Sequence, residues 1–516
     1  MIIYQVYPRS FNDSNNDGIG DLAGIAQKLP YIKSLGVDVI WISPFFKSPM
    51  KDFGYDVSDY RAVDPIFGTM DDFKRLMKQA KAIGLGVLVD MVISHTSEQH
   101  LWFKQSRAKQ NGKDDWYLWA DSKPDGSPPN NWFSVFGGPA WRWDAERRQY
   151  FFHSFLPSQP DLNMHHPDVQ NAVLADMDFW LDMGVSGFRF DACNHLFQDK
   201  LLRNNPPRPD TTDALHPYGF QIHMYDQGRP EMLPFLERIR TLLDAYGAFS
   251  LAEVGGTDPL HLMGQYTQPG RLHSAYSFAL MRADSSAAYV RNVIATLEQH
   301  IRAPGAACYA MSNHDKPRVA TRWQNGRDRD DTAKVMLALL FSLRGDICLY
   351  QGEELGLPQA EVPFDKLQDP FGITFWPKFK GRDGCRTPMP WTNELHGGFS
   401  RAEPWLPIDP VHIGMNVEKQ EAQADSVLRF AREMIALRKA RGELREGGME
   451  LLDAPEGILA FARCHEGSKM VCLFNMDIVP TTMPGVNFTE MVLGQHAAPN
   501  GRAVKLGVSG FCFLQA

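Results

Sequence analysis

The chain has 516 residues, 44% hydrophobic and 22% charged, with a formal net charge of −8. A chain of this length is too long to fold around one small core, so we expect a catalytic-size domain with further modules. Its composition is that of an ordinary globular protein. The negative charge, without a Lys/Arg run, argues against nucleic acid as a partner, and seven cysteines without a Cys-x-x-Cys pair argue against a disulfide framework or a zinc ribbon.

The first predicted strand is followed by a loop with oxygen-bearing residues at alternate positions. Residues 13–21 read Asp-Ser-Asn-Asn-Asp-Gly-Ile-Gly-Asp, which matches the first nine positions of a calcium loop, although Gly24 replaces the closing glutamate. A polar turn that caps a helix starting near Leu22 is the alternative. We favour one structural ion, Ca²⁺ slightly ahead of Mg²⁺. The expected ligands are Asp13, Asn15, Asp17, Asp21 and the carbonyl group of Ile19.

Apolar strands then alternate with amphipathic helices along most of the chain. The predicted strands are residues 2–7, 37–44, 86–95, 187–194, 248–254, 274–281, 307–315 and 346–350. The strongest predicted helices are residues 70–83, 168–183, 231–246 and 426–439. Near-continuous apolar strands that alternate with helices indicate a parallel sheet covered by helices. Eight such units in one domain predict an α/β fold, the (β/α)₈ or TIM barrel.

Two regions interrupt this alternation. Trp, Pro, Gly and Asn crowd together over residues 97–167, which predicts an irregular domain inserted after the third strand. Short apolar runs separated by turns over residues 443–516 predict a C-terminal antiparallel β-domain. The barrel is therefore assigned to residues 1–96 and 168–442.

Several predicted strands end in polar residues. These residues are His95, Arg189, Asp191, Glu253, His314 and Asp315. The carboxyl ends of barrel strands face one pocket, so three carboxylates should converge there with two histidines and an arginine. A single acid at a strand end is more often a structural ion pair. Three carboxylates together favour a functional site. Bringing like charges together lowers the stability of the fold, so a purely structural role does not explain the cluster.

Five motifs in a fixed order carry a resemblance to a known family. They are Asp-Met-Val-Ile-Ser-His at 90–95, Gln-Pro-Asp-Leu-Asn at 159–163, Gly-Phe-Arg-Phe-Asp at 187–191, Glu-Val-Gly at 253–255 and Ser-Asn-His-Asp at 312–315. Over nearly all of its length the chain resembles the α-amylase superfamily, glycoside hydrolase family 13. Residues 54–60 and 385–391 are similar to the α-glucosidase and oligo-1,6-glucosidase branch.

The resemblance implies a retaining reaction with three acidic residues. Asp191 would attack the anomeric carbon, and Glu253 would protonate the leaving oxygen and then deprotonate the incoming water or sugar. Asp315 would bind the 2- and 3-hydroxyls of the glucose. Nearby anions are expected to keep Glu253 protonated, and Arg189 is expected to keep Asp191 ionised.

The resemblance also implies the substrate contacts. Tyr55 resembles the platform under the terminal glucose, and Asp56 with Arg386 resembles a pair that clamps the non-reducing end, so that single glucose units leave from chain ends. The remaining implied contacts are His95, His314, Phe136, Phe155 and Gln159.

Two positions depart from the family pattern. Ser94 replaces the usual asparagine before His95, which should weaken a supporting hydrogen bond. Ala192 follows the predicted nucleophile, where α-1,6-acting relatives often have Val and α-1,4-acting ones Thr, so linkage stays open. The long loop after the fourth strand is more similar to that of α-glucosidases restricted to short α-1,4 substrates.

The favoured function is an exo-acting α-glucosidase on short α-glucosides, with transfer to a sugar or alcohol acceptor. One alternative is an oligo-1,6-glucosidase, and another is a sucrose-isomerising or glucosyl-transferring enzyme. Arg-Asp-Arg-Asp at 327–330 is a weak sign of sucrose isomerisation, and a solvated loop explains it more simply. A non-catalytic transporter-associated protein is disfavoured, because such relatives carry a membrane span and an eroded triad.

The start of the chain lacks the basic residues and apolar core of a secretory signal, and no apolar run reaches the length of a membrane span. We therefore expect a cytoplasmic protein that does not bind a membrane.

Overall fold

Eight parallel strands close into a barrel in a computed structural model that describes residues 1–209, 211 and 215–516. The strands are β1 (Ile2–Val6), β2 (Val39–Ile42), β3 (Gly86–Met91), β4 (Gly187–Phe190), β5 (Phe249–Val254), β6 (Ser274–Ser277), β7 (Ala306–Ala310) and β8 (Asp346–Tyr350). Each strand pairs with its neighbours in sequence, and β1 pairs with β8. The predicted TIM barrel is confirmed.

One helix of the outer layer follows each strand. These helices are α1 (Leu22–Leu35), α2 (Met70–Ala82), α3 (Pro167–Asp182), α4 (Met232–Tyr246), α5 (Pro259–Tyr266), α6 (Ala287–His300), α7 (Arg329–Ser342) and α8 (Val427–Ala440). Side-chain caps determine where several begin. In α2, the Thr69 hydroxyl accepts a hydrogen bond from the Asp72 backbone while the Asp72 carboxylate accepts one from the Thr69 backbone, which forms a capping box.

Shorter helices lie in the connections. They are Leu101–Arg107, Val319–Arg322, Pro370–Phe375, Pro410–Ile413, Val417–Ala422 and Gly442–Arg445.

The barrel lumen has an apolar layer. It is built by Ile3, Val39, Trp41, Leu88, Leu251, Tyr276, Cys308 and Cys348, together with smaller neighbours. Gly187 allows β4 and β5 to approach closely, because a Cβ on it would lie 1.9 Å from the Phe249 carbonyl oxygen and its φ is +144°. The first residue of β4 is thereby confined to glycine, two positions before the arginine of the predicted site.

The inserted segment between β3 and α3 is less irregular than predicted. It contains the helix Leu101–Arg107 and an antiparallel sheet of three short strands, Trp119–Ala120, Trp141–Asp144 and Gln149–Phe152. A separate two-stranded sheet pairs Phe46–Lys47 with Asp59–Val63. Aromatic residues pack these elements together, as between Trp132, Trp141 and Phe152.

The C-terminal part is an antiparallel sheet, as predicted. Its strands are Gly448–Leu451, Ile458–His465, Ser468–Asn475, Thr481–Met483, Glu490–Asn500 and Ala503–Gln515. Phe461, Phe474 and Phe511 of this sheet join the main hydrophobic core. Across the described ranges, no helix is both long enough and apolar enough to cross a bilayer.

Candidate active site

A cavity of about 440 Å³ opens at the carboxyl ends of the barrel strands. Its lining includes eight of the predicted residues, namely Tyr55, His95, Phe136, Phe155, Gln159, Asp191, Glu253 and Asp315. Arg189, His314 and Arg386 are fully buried and contact lining residues from behind. The barrel therefore brings the three predicted acids to one cavity, and the inserted segment supplies part of its wall.

Arg189 is the centre of a buried charge network. Its Nη1 donates to Asp90 Oδ1 at 2.7 Å and to Asp191 Oδ1 at 2.8 Å, and its Nη2 donates to Glu253 Oε2. Within the described part of the chain, Asp191 Oδ2 and Glu253 Oε1 accept no hydrogen bond. Each of the two predicted reacting carboxylates is thus held by one oxygen and keeps the other available to a substrate.

The register of the barrel strands creates this network. Asp90 lies beside Arg189 in the β3–β4 pairing, and Glu253 lies beside Tyr276 in the β5–β6 pairing. The Tyr276 hydroxyl donates to Glu253 Oε2 at 2.6 Å and accepts from Arg189 Nη2 at 2.9 Å. Trp41 donates to Asp90 Oδ2 at 3.0 Å. Side chains from five consecutive strands therefore hold the two reacting carboxylates.

Burial is the main cause of the unusual acidities in this network. It raises the pKa of Asp191 and that of Glu253 to about 7 each, against the opposing effect of Arg189. Asp191 and Asp315 raise the pKa of Glu253 further, so the anions expected from the sequence do act, but burial is the larger effect. Two buried acids on one guanidinium titrate as a coupled pair, so one proton can be shared between them.

Asp315 behaves differently, because two guanidinium groups bond to it. Burial alone would raise the pKa of Asp315, but His314, Arg382 and Arg386 together bring it below the ordinary value. Arg386 Nη2 lies 2.8 Å from Asp315 Oδ1, and Arg382 Nη1 lies 3.3 Å from the same oxygen. An ionised carboxylate at the cavity wall accepts hydrogen bonds only, as binding two adjacent sugar hydroxyls requires.

The predicted pair of Asp56 and Arg386 does not form. Asp56 is buried and accepts hydrogen bonds from the Ser48 hydroxyl and from the backbone of Lys51 and Asp52, so it closes a tight turn. Asp52 lines the cavity instead, and its Oδ1 lies 2.8 Å from Arg382 Nη2. The carboxylate three residues before Tyr55, rather than the one after it, therefore lies at the cavity wall, paired with Arg382.

Two predicted sugar-binding histidines are engaged by protein groups. His95 lines the cavity, with Nδ1 2.9 Å from the Ser94 hydroxyl and Nε2 2.9 Å from the Tyr55 carbonyl oxygen. The Ser94 hydroxyl therefore forms a hydrogen bond with His95. His314 lies 2.8 Å from Gln5 and 2.5 Å from the Tyr55 hydroxyl. In this structure the two imidazoles orient the cavity wall.

Among the residues missed from the sequence, four belong to the ion pairs and hydrogen bonds that hold the predicted carboxylates and arginines. Asp52 and Arg382 each stand near a predicted residue, Tyr55 and Arg386 respectively, and only the fold distinguishes them from their neighbours. Asp90 was visible as an acid that interrupts an apolar run. Tyr276 had no signal, because a tyrosine in a short strand is usually core.

The acidic side chains of the loop over residues 13–21 are held by hydrogen bonds within the loop. Asp13 accepts hydrogen bonds from the backbone of Asn15, Asn16 and Gly18, and Asp21 caps α1 through the Gly24 backbone. Among the residues that the structure describes, no group of three His, Cys, Asp or Glu side chains is arranged to hold an ion. Each carboxylate oxygen of Asp13, Asp17 and Asp21 accepts a hydrogen bond within the loop, although oxygen atoms at alternate positions are the ligands that Ca²⁺ prefers.

Comparisons with known proteins agree with this geometry. A family model described as alpha amylase, catalytic domain, matches residues 5–447. A probable alpha-glucosidase of Rhizobium meliloti is 52% identical over 92% of this chain and 88% of its own length. An oligo-1,6-glucosidase of Heyndrickxia coagulans is 34% identical over 96% of this chain and 95% of its own. The crystal structure of an alpha-glucosyl transfer enzyme, 50% identical, covers 100% of this chain and 98% of its own, with a TM-score of 0.97.

Proposed function

The chain belongs to the α-amylase family of glycoside hydrolases, and we propose that it is a retaining, exo-acting α-glucosidase of short α-glucosides. The observation that carries this proposal is the shared contact of Asp191 and Glu253 with the two Nη atoms of Arg189 at the cavity wall. Carboxylates bound to one guanidinium lie close together, which suits the separation of about 5–5.5 Å in retaining enzymes.

In the first step, Asp191 Oδ2 attacks the anomeric carbon of the terminal glucose. The glycosidic bond breaks, and Glu253 Oε1 gives its proton to the leaving oxygen. The product is a covalent glucosyl-enzyme with inverted configuration. In the second step, ionised Glu253 takes a proton from water or an acceptor hydroxyl, whose oxygen attacks the same carbon and releases Asp191, so that the α-configuration is restored.

The buried end of the cavity supports cleavage at the chain end. Arg382 bonds to Asp52, Asp315 and Asp369, and Arg386 bonds to Asp315, so ion pairs close the wall behind Asp315. A closed end beside the residue expected to bind the 2- and 3-hydroxyls leaves no path for further sugar units. Only the terminal glucose would then reach Asp191.

Substrate preference and acceptor are finer proposals. We favour α-1,4 substrates such as maltose over α-1,6 ones, because the loop between β4 and α4 is long, as in α-glucosidases restricted to short α-1,4 substrates, and contributes Tyr218 to the cavity. The relative that is an alpha-glucosyl transfer enzyme supports transfer to a sugar or alcohol as a second outcome of the same glucosyl-enzyme. The motif at 327–330 gives sucrose isomerisation little support, because it spans the start of α7, where Asp328 caps the helix by accepting a hydrogen bond from the Asp331 backbone.

A structural ion in the loop over residues 13–21 is part of the proposal. Asp13, Asn15, Asp17, Asp21 and the Ile19 carbonyl would hold Ca²⁺, or Mg²⁺ as the alternative. A bound cation would neutralise three aspartates and tie the loop after β1 to the start of α1.

Glucose release from maltose, isomaltose and sucrose tests the central proposal. We expect the wild type to release glucose from at least one of them and Asp191→Ala to be at least about 100-fold slower. Equal release by both proteins would contradict a reaction at Asp191. The same assay with excess alcohol separates hydrolysis from transfer, since transfer leaves less free glucose per bond cleaved.

A further inference from the structure

Lys316 is a cation of the cavity wall that the proposed reaction does not use. The described lining contains two Lys or Arg side chains, Lys316 and Arg382. Arg382 bonds to three carboxylates, whereas the Lys316 ammonium has no hydrogen bond or ion pair with any described residue. The Lys316 side chain is partly buried, and this burial lowers its pKa. An ammonium in such a place gains most from a ligand that accepts hydrogen bonds.

A tight turn fixes Lys316 beside the reacting groups. Asn313 and Lys316 form an isolated antiparallel bridge, and the Asp315 backbone donates to Asn313 Oδ1 at 2.9 Å. The Lys316 Nζ lies 4.8 Å from the centre of the Phe278 ring, which also lines the cavity. Phe278 follows β6, the strand whose Tyr276 bonds to Glu253.

This position lies on the Glu253 side of the cavity. The Lys316 ammonium faces Phe278, two residues after the Tyr276 that bonds to Glu253, and the charges of Asp315 and then of Glu253 raise the pKa of Lys316 against burial. Because Glu253 would protonate the leaving oxygen, the leaving group and any later acceptor must lie on this side of the scissile bond. The opposite, closed end is reserved for the glucose that is transferred.

We propose that Lys316 and Phe278 form the binding site for the leaving sugar and the incoming acceptor. Lys316 donates hydrogen bonds to hydroxyls next to the glycosidic oxygen, and the Phe278 ring contacts the apolar face of the same ring. The ligand class is therefore a polyhydroxylated leaving group or acceptor, as opposed to an aryl or simple alkyl one. This inference rests on the proposed α-glucosidase activity.

Comparing two leaving groups tests the role of Lys316. Maltose leaves as a sugar with several hydroxyls, whereas 4-nitrophenyl α-glucoside leaves as a phenol without them. We expect Lys316→Met to lower the ratio of kcat/KM for maltose to kcat/KM for the aryl glucoside by about 10- to 100-fold. Lys316→Arg, which keeps the charge and the donors, should restore most of that ratio.

The same substitution should change how the glucosyl-enzyme is partitioned. With glucose and butanol both present as acceptors, Lys316→Met should shift transfer toward butanol by about tenfold. A general structural defect would not move this ratio, because both acceptors compete for one intermediate. Lys78→Met, on the exposed face of α2, is the matched control, and Lys316→Gln serves if Lys316→Met does not fold.

The possible outcomes separate this inference from the proposed function. A wild type inactive on both glucosides contradicts the α-glucosidase itself. An active wild type whose Lys316→Met variant loses both activities in parallel, or neither, overturns only the role of Lys316. A selective loss on maltose with rescue by Lys316→Arg supports it.

Discussion

The hydroxyl of Tyr276 donates a 2.6 Å hydrogen bond to Glu253 Oε2, the same oxygen that accepts from Arg189. This bond favours the ionised carboxylate and lowers the pKa of Glu253, whereas burial raises it to about 7. The acid must be protonated, so activity should fall as pH rises through the pKa of Glu253. Tyr276→Phe removes a lowering effect and should move the alkaline limb of kcat/KM about 0.5–1 pH unit higher.

The measurement is a pH profile of kcat/KM on maltose for both proteins. Tyr309→Phe is a matched control, because the buried Tyr309 hydroxyl has no hydrogen-bond partner in the described structure. If the alkaline limb of kcat/KM lies at the same pH in Tyr276→Phe and in the wild type, a group other than Glu253 titrates in that limb.

Azide should reveal the separate roles of Asp191 and Glu253. With Asp191→Ala, azide takes the place of the carboxylate and should give β-glucosyl azide by a single inversion. With Glu253→Ala on an activated aryl glucoside, Asp191 still forms the glucosyl-enzyme, and azide should then give α-glucosyl azide. Without azide, the Glu253→Ala variant should be about 10²–10⁴-fold less active than the wild type. The same anomer from both variants would contradict these roles.

The comparison of sequence and structure separates two kinds of prediction. The eight strands were predictable because buried parallel strands are nearly continuous apolar runs. The acids at their ends were predictable as site residues because the carboxyl ends of all barrel strands face the same pocket. Tyr276 was not, since its role depends on the register that sets it beside Glu253. The motif at 54–60 indicated Asp56 and left Asp52 out, because motif spacing cannot tell which of two nearby buried carboxylates lines the cavity.

Removing divalent ions should lower the thermal stability of the protein. If Ca²⁺ binds the loop over residues 13–21, an ion at about 100 times its Kd stabilises the folded state by about 2.7 kcal/mol. EDTA should therefore lower Tm by a few degrees, and added Ca²⁺ should restore it. Asp17→Ala should abolish this response, whereas Asp453→Ala, which changes a fully exposed aspartate, should keep it. If neither EDTA nor added Ca²⁺ changes the Tm, the loop does not bind a structural ion.

Asp52 and Asp56 should respond oppositely to replacement by asparagine. Asp52 pairs with Arg382 at the cavity wall, so Asp52→Asn should lower kcat/KM for maltose by about 10-fold or more. Asp56 is buried away from the lining and accepts three hydrogen bonds, so Asp56→Asn should instead lower Tm, at a cost of about 1–3 kcal/mol.

The pH dependence of that loss of stability identifies Asp56 as its source. Burial raises the pKa of Asp56 from 3.8 to about 6, so the wild type is favoured while Asp56 is protonated and loses that advantage as pH rises from about 4 to 6. Asparagine does not titrate, so the Tm difference between wild type and Asp56→Asn should be largest near pH 4 and smaller at pH 7. Thermal denaturation of both proteins between pH 4 and 8 measures it. A difference that instead grows with pH would mean that the folded state favours ionised Asp56.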